Sequence, residues 1–126
     1  MICYYGHEGG SLDTHRLLSW FQHALQPYVD HVRVRDLHES WRDGLAFCAL
    51  MHAFRPDVCH FRDCLRMSAM QRVQMALTLI EQEFGVEPML SADDVCRVGA
   101  LDKLAMLSYL AQVHEAIENE PPKKGT

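Results

Sequence analysis

The residues best suited to chemistry in this chain are the thiols and imidazoles near its middle. Cys48 and His52 are four apart, which on a helix places them on one face, and Cys59, His60 and Cys64 follow closely. Thiolate and imidazole are zinc ligands, but structural zinc sites use two tight pairs, such as C-x2-C with H-x3-5-H. Cys59 and Cys64 do not form such a pair. The spacing argues instead for Cys48 as a small core residue and His52 at the edge of the core. Glu81 and Glu83 are two apart and do not face each other on a helix, so no carboxylate pair is suggested. The histidines His7, His15, His23, His31, His38 and His114 share no spacing that would gather them. There is no G-x-S-x-G, P-loop or G-x-G-x-x-G, and Gly9-Gly10-Ser11 is only a loop signal. No catalytic, cofactor-binding or metal-ligating residue is assigned, and the chain reads as non-catalytic.

The elements that carry these residues are helical. Between Gly44 and Phe54 no residue is formally charged. Phe47, Leu50, Met51 and Phe54 form one helical stripe, and Leu45, Cys48, Ala49 and His52 form a second. A helix apolar nearly all round is buried or spans a membrane, and this one is far short of the about 20 residues a span needs. It is therefore read as a central core helix, with Asp43 as its N-cap and Pro56 ending it by restricting Arg55. Met51 and Met106 fall on core stripes.

Around that centre the chain offers three more long helices. The first carries Leu17, Leu18, Phe21 and Leu25 on one face, is capped by Ser11, Asp13 or Thr14, and ends at Pro27. Ser68-Ala69-Met70-Gln71 has capping-box spacing. It opens a helix with Val73, Ala76, Leu77, Ile80 and Phe84 inward, Arg72 and Glu81 on the polar face, and Gly85 as its terminator. Asp102 caps the last helix, whose stripe is Met106, Tyr109, Leu110, Val113 and Ile117. Ser91 starts a short helix with Val95 and Val98 inward. Val32-Arg33-Val34-Arg35 alternates but has no strand partner, so it is read as an irregular connection anchored by Leu37 and Trp41. Phe61 and Leu65 are the expected anchors of a second irregular stretch. The fold class is all-α, four main helices plus short helices around a buried central one.

With 126 residues the chain suits one domain. Residues 1–10 read as an irregular arm, 11–118 as the domain and 119–126 as a linker, so a module of a longer protein is expected. The net charge of −5 argues against a nucleic-acid or anionic-membrane binder. Five cysteines, an odd number, read as reduced thiols of an intracellular protein.

Several stretches together resemble the calponin-homology domain. Leu17-Leu18-Ser19-Trp20-Phe21-Gln22 is similar to its first-helix motif. Asp36-Leu37-His38-Glu39-Ser40-Trp41-Arg42-Asp43-Gly44-Leu45-Ala46-Phe47-Cys48-Ala49-Leu50-Met51-His52 is similar to its hallmark segment, continued by Phe54-Arg55-Pro56-Asp57. Glu83-Phe84-Gly85-Val86, Leu90 to Val95 and Leu107 to Leu110 follow in the family's order. The wording of the hallmark resembles single-copy domains, above all those of MICAL and MICAL-like proteins, and also smoothelin and cytospin. The chain departs from many relatives at Gln26-Pro27-Tyr28, where a glycine-tyrosine turn is common, and at Ala69-Met70-Gln71, where an asparagine often stands.

The resemblance implies the calponin-homology helical bundle and a role in protein recognition. It implies a cytoplasmic, cytoskeleton-associated monomer that binds F-actin or packs on a neighbouring domain of its parent. If the parent is MICAL-like, it would hold a flavin monooxygenase acting on actin, with FAD bound elsewhere and no cofactor in this fragment. The actin surface is acidic, so a basic patch would favour filament binding and an exposed apolar patch the interdomain role. Arg33, Arg35, Arg42 and Arg55 are the partner-binding candidates.

Overall fold

The computed structural model describes residues 10–97 and 102–119. Within them are six α-helices and no strand. They are α1 (Gly10–Ala24), α2 (Leu45–Phe54), α3 (Phe61–Cys64), α4 (Ala69–Phe84), α5 (Ala92–Cys96) and α6 (Lys103–Asn119), with 3-10 turns at Gln26–Tyr28 and Glu39–Trp41. The four long helices and α5 are those expected from the sequence, whereas α3 and the turn at Glu39–Trp41 fall in stretches whose sequence reads as irregular. None of the described helices is long and apolar enough to cross a membrane. Most of the expected arm at 1–10, inward-facing Val98 and most of the linker at 119–126 lie outside the described residues.

Helix α2 is the centre. Ala46, Phe47, Cys48, Ala49, Leu50 and Met51 are all fully buried. Burial of Phe47, Leu50 and Met51 contributes about 1.5–3 kcal/mol each. The helix packs chiefly on α4, which also meets α5 and α6. Trp20 of α1 stacks on Phe54 at the end of α2, with ring centroids 5.8 Å apart, and its indole N–H donates to Glu118 Oε2 of α6 at 2.9 Å. That contact ties the first and last helices across the end of the central one.

The caps follow local sequence. Ser68 Oγ accepts from Gln71 N–H while the Gln71 side chain accepts from Ser68 N–H, a complete capping box. Ser91 and Asp94 repeat it on α5, Asp102 accepts from Ala105 N–H, and Gly85 (φ 74°) ends α4. Three expectations need correction. Helix α1 begins at Gly10, so Ser11 to Thr14 lie inside its first turns. The N-cap position of α2 is Gly44, and Asp43 serves from one residue earlier by accepting Leu45 N–H at 3.0 Å. In the stretch between α2 and α4, Phe61 and Leu65 are only half-buried, whereas Cys59 and Cys64 fill the core.

The start of α2 also explains a residue misassigned to the polar face of α4. Arg72 turns back and donates to three carbonyls: Cys64 at 2.8 Å, Asp43 at 3.0 Å and Leu65 at 3.4 Å. This stitches α4 to the start of α2 and the end of α3. To come so close, α2 must open on a residue without a side chain. Gly44 is buried with φ 81°, and a Cβ there would lie 2.5 Å from Arg72 Cβ. Gly44→Ala would combine left-handed strain with that clash. It is expected to lower stability by about 2 kcal/mol or more, read by chemical denaturation. A loss of only a few tenths would mean that α2 and α4 can separate at no cost.

Candidate partner-binding cleft

The segment before α2 is pinned by short-range hydrogen bonds. Asp36 Oδ1 accepts the backbone N–H groups of His38 (3.0 Å) and Ser40 (2.8 Å). Ser40 Oγ accepts those of Arg35 (2.9 Å) and Asp36 (3.2 Å). The Trp41 indole N–H donates to Asp36 carbonyl oxygen at 3.0 Å. Trp41 is fully buried and packs against Phe21 and Phe47, each with centroids 4.9 Å away. Upstream, Val32 and Val34 are buried and Gln22 Nε2 donates to the Val34 carbonyl. The period-two alternation of this segment thus survives without a sheet, with valines inward and Arg33 and Arg35 exposed.

The pinned segment walls a cleft of about 520 Å³. Its lining includes Arg33, Arg35 and Arg42, three of the four arginines singled out from sequence, together with Asp36, Glu39 and Asp43. Ala69 of α4 and Cys96 of α5 also line it. Arg33 and Arg35 also border a second cavity of about 290 Å³, so they stand on the rim between the two. Neither of these two guanidiniums has an ionic or hydrogen-bond partner among the described residues. Arg42 sits deeper. Its terminal nitrogen is 3.5 Å from Glu39 Oε2, and its Nε is buried with no protein acceptor.

Two acids of the cleft, Asp36 and Asp43, are held by backbone N–H groups. Burial pushes the Asp36 carboxyl up, but the backbone N–H bonds from Ser40 and His38 outweigh it and hold the group below the usual aspartate value. Asp43 caps α2. Acids and arginines are equal in number along the wall, but Asp36 and Asp43 are held by backbone N–H groups while the guanidiniums of Arg33 and Arg35 are left without a partner among the described residues.

Arg55 is the exception among the candidates. Its side chain is only 10% exposed, donates through Nε to Glu83 Oε1 at 3.0 Å and through Nη1 to the Phe54 carbonyl at 2.7 Å, and lies 4.5 Å over the Phe84 ring. It joins the ends of α2 and α4 and is not presented to a partner. The thiols behave as core. Cys59 Sγ lies 3.8 Å from Cys64 Sγ and 3.7 Å from the Cys48 carbonyl oxygen. Burial, then the neighbouring Cys64, pushes the Cys59 thiol up to about 12. His52 is turned away from them, with Nδ1 2.8 Å from Tyr28 Oη, and His60 is exposed. Among the described residues no group of three or more His, Cys, Asp or Glu is placed to hold a metal ion.

The calponin-homology (CH) domain model matches residues 13–118, which takes in α2 to α5, all but the last residue of α6, most of α1 and all of the cleft. The chain belongs to the calponin-homology family. Among curated proteins it is similar to the F-actin monooxygenase mical1 of Danio rerio, 40% identical over 107 residues, 84% of this chain and 9% of that protein. It is similar to the protein-methionine sulfoxide oxidase mical3b of Danio rerio, 39% identical over 111 residues, 88% of this chain and 7% of that protein. It is also similar to the F-actin monooxygenase MICAL2 of Homo sapiens, 37% identical over 106 residues, 84% of this chain and 5% of that protein. The chain thus spans less than a tenth of the length of these MICAL relatives.

The geometry of this calponin-homology cleft depends on Asp36 staying ionised. Its folded value is depressed, so its stabilisation is present above the ordinary carboxyl pKa and is lost as pH falls through the lower folded one. Asp36→Ala should cost about 1 kcal/mol at neutral pH, as loss of a capping carboxylate does, measured by urea unfolding. The gap to the parent should close as pH is taken below about 4. A gap that stays constant with pH would show that the carboxylate does not hold the turn.

Proposed function

We propose that this calponin-homology domain is a non-catalytic recognition module of a larger, MICAL-like cytoskeletal protein, and that it contributes to actin filament association through Arg33, Arg35 and Arg42. The observation that carries this reading is the pair of unpaired guanidiniums held on a rigid rim. Backbone hydrogen bonds and buried valines fix their Cα positions, so little ordering is lost when a partner docks. An acidic protein surface is the complement of such a rim. The relatives whose names specify F-actin as substrate lend the partner. The module would serve in the cytoplasm as a monomer, bringing chemistry located elsewhere to the filament. Any monooxygenase activity and its FAD would belong to other parts of a longer chain.

The exposed large apolar side chains favour this over packing on a neighbouring domain. Among the described residues, the exposed large apolar side chains are Val29, Val58, Met70, Met89 and Leu104, which come from five separate segments of chain. Single exposed apolar residues are ordinary surface.

Co-sedimentation of the chain with F-actin across a salt series tests the proposal. Binding should weaken as salt rises. Arg33→Glu with Arg35→Glu should reduce affinity about tenfold or more, roughly 1.4 kcal/mol, with an unchanged melting transition. No pelleting at high domain concentration would shift the reading to a neighbouring domain. Equal binding by the double variant would remove these arginines from the contact.

A further inference from the structure

We infer that the cleft recognises a carboxylate-bearing protein segment rather than a phosphorylated or nucleic-acid ligand, and that Glu39 occupies the inner anchor, Arg42, as an internal competitor. This rests on the reading of the cleft as a partner site and specifies the partner's chemistry.

Three observations carry it. First, guanidinium N–H donors are left without a partner in the cleft among the described residues, and they are graded in depth. Arg33 and Arg35 stand unpartnered on the rim, while Arg42 lies inside with a buried Nε that meets no protein acceptor. A guanidinium presents several donors, and a docked carboxylate can take two of them side by side. Second, the field of the cleft is weak. Asp36 and Asp43 are fixed in its wall by their own backbone hydrogen bonds and cannot turn away. A phosphate dianion or a dense phosphate chain would meet those carboxylates at close range, whereas singly charged side chains spaced along a peptide can sit between them. The net charge of −5 points the same way.

Third, the present partner of Arg42 is replaceable. Glu39 Oε2 is 3.5 Å away, longer than a charge-assisted hydrogen bond, and the Glu39 side chain is 59% exposed. Such a pair contributes little. An incoming carboxylate can take its place, and Glu39 can swing into water without breaking a backbone contact.

Cys96 supplies a reporter, because it lines the same cleft and is partly exposed, while Cys48, Cys59 and Cys64 are buried. The experiment follows alkylation of Cys96 by iodoacetamide in the 126-residue chain, read by peptide mass spectrometry. The probes are an acetylated hexaglutamate peptide, a hexaglutamine control and a phosphoserine peptide of equal length, at matched ionic strength. Saturating hexaglutamate should slow Cys96 alkylation about fivefold or more, because reactivity follows access. Hexaglutamine should not slow it. Arg33→Gln with Arg35→Gln should abolish the protection, and Glu39→Gln should lower the half-protecting concentration about two- to fivefold, the worth of an exposed pair.

Undiminished alkylation in hexaglutamate, equal protection in the arginine variant, weaker protection in Glu39→Gln, or stronger protection by the phosphoserine peptide would each overturn the inference. The two readings fail separately. Hexaglutamate protection without filament binding would reject actin and keep the ligand class. Filament binding that leaves Cys96 unprotected would reject the cleft and keep actin.

Discussion

A helix with no charged residue along its length has to be surrounded, and the rest of this domain is the means of surrounding α2. Six consecutive residues, Ala46 to Met51, are removed from water. The ends of such a helix cannot rely on solvent for their hydrogen bonds, so neighbours must supply them. At the start, Asp43 accepts Leu45 N–H while Arg72 binds the Asp43 carbonyl. At the finish, Arg55 binds the Phe54 carbonyl and Glu83. Both arginines lock α2 to α4, one at each end. The glycine at position 44 is what lets the two helices approach closely enough for the first lock to form.

The cleft is a by-product of that burial. To deliver α2 into the core, the preceding segment turns tightly and sinks Trp41 between Phe21 and Phe47. Asp36 and Ser40 take up the backbone donors of the turn, so the turn holds without help from the arginines beside it. The valines of the alternating stretch face inward, which leaves Arg33 and Arg35 on the outer side. Charge that structure does not consume is available for recognition, and here it faces a concave surface. Stability and binding are thus separated along one short segment. Asp36, Ser40 and Trp41 serve the fold, and Arg33 and Arg35 are left to a partner.

Much of the fold was legible in the sequence because its signals are local. The uncharged run of α2, the Ser68–Gln71 box, Asp102 and Gly85 each act within one or two turns of chain. Alternation at Val32 to Arg35 matches the buried and exposed sides even though no sheet forms, since extended backbone alone sets that period. Long side chains were the blind spot. Arg72 sits at a position that its spacing puts on the polar face of α4, yet it folds back to carbonyls brought near only by packing of α4 against the start of α2 and the end of α3, and Arg55, just past α2, reaches Glu83 of α4. Between Asp57 and Met67 there is no period to give the phase, so the larger Phe61 and Leu65 were favoured over the more deeply buried Cys59 and Cys64. At the cleft, the expectation of a basic patch singled out Arg33, Arg35, Arg42 and Arg55, but the sequence could not show that Arg55 is spent on Glu83 or that Cys96, from a distant helix, lines the same cleft as the other three.

Arginine-specific footprinting with phenylglyoxal, in the presence and absence of actin filaments, tests the division between structural and recognition arginines most directly. Filaments should shield Arg33 and Arg35 while Arg62 and Arg66, which are exposed on and beside α3, keep their reactivity. Unchanged reactivity at Arg33 and Arg35, with shielding at another set of arginines, would contradict the assignment of the cleft as the contact surface.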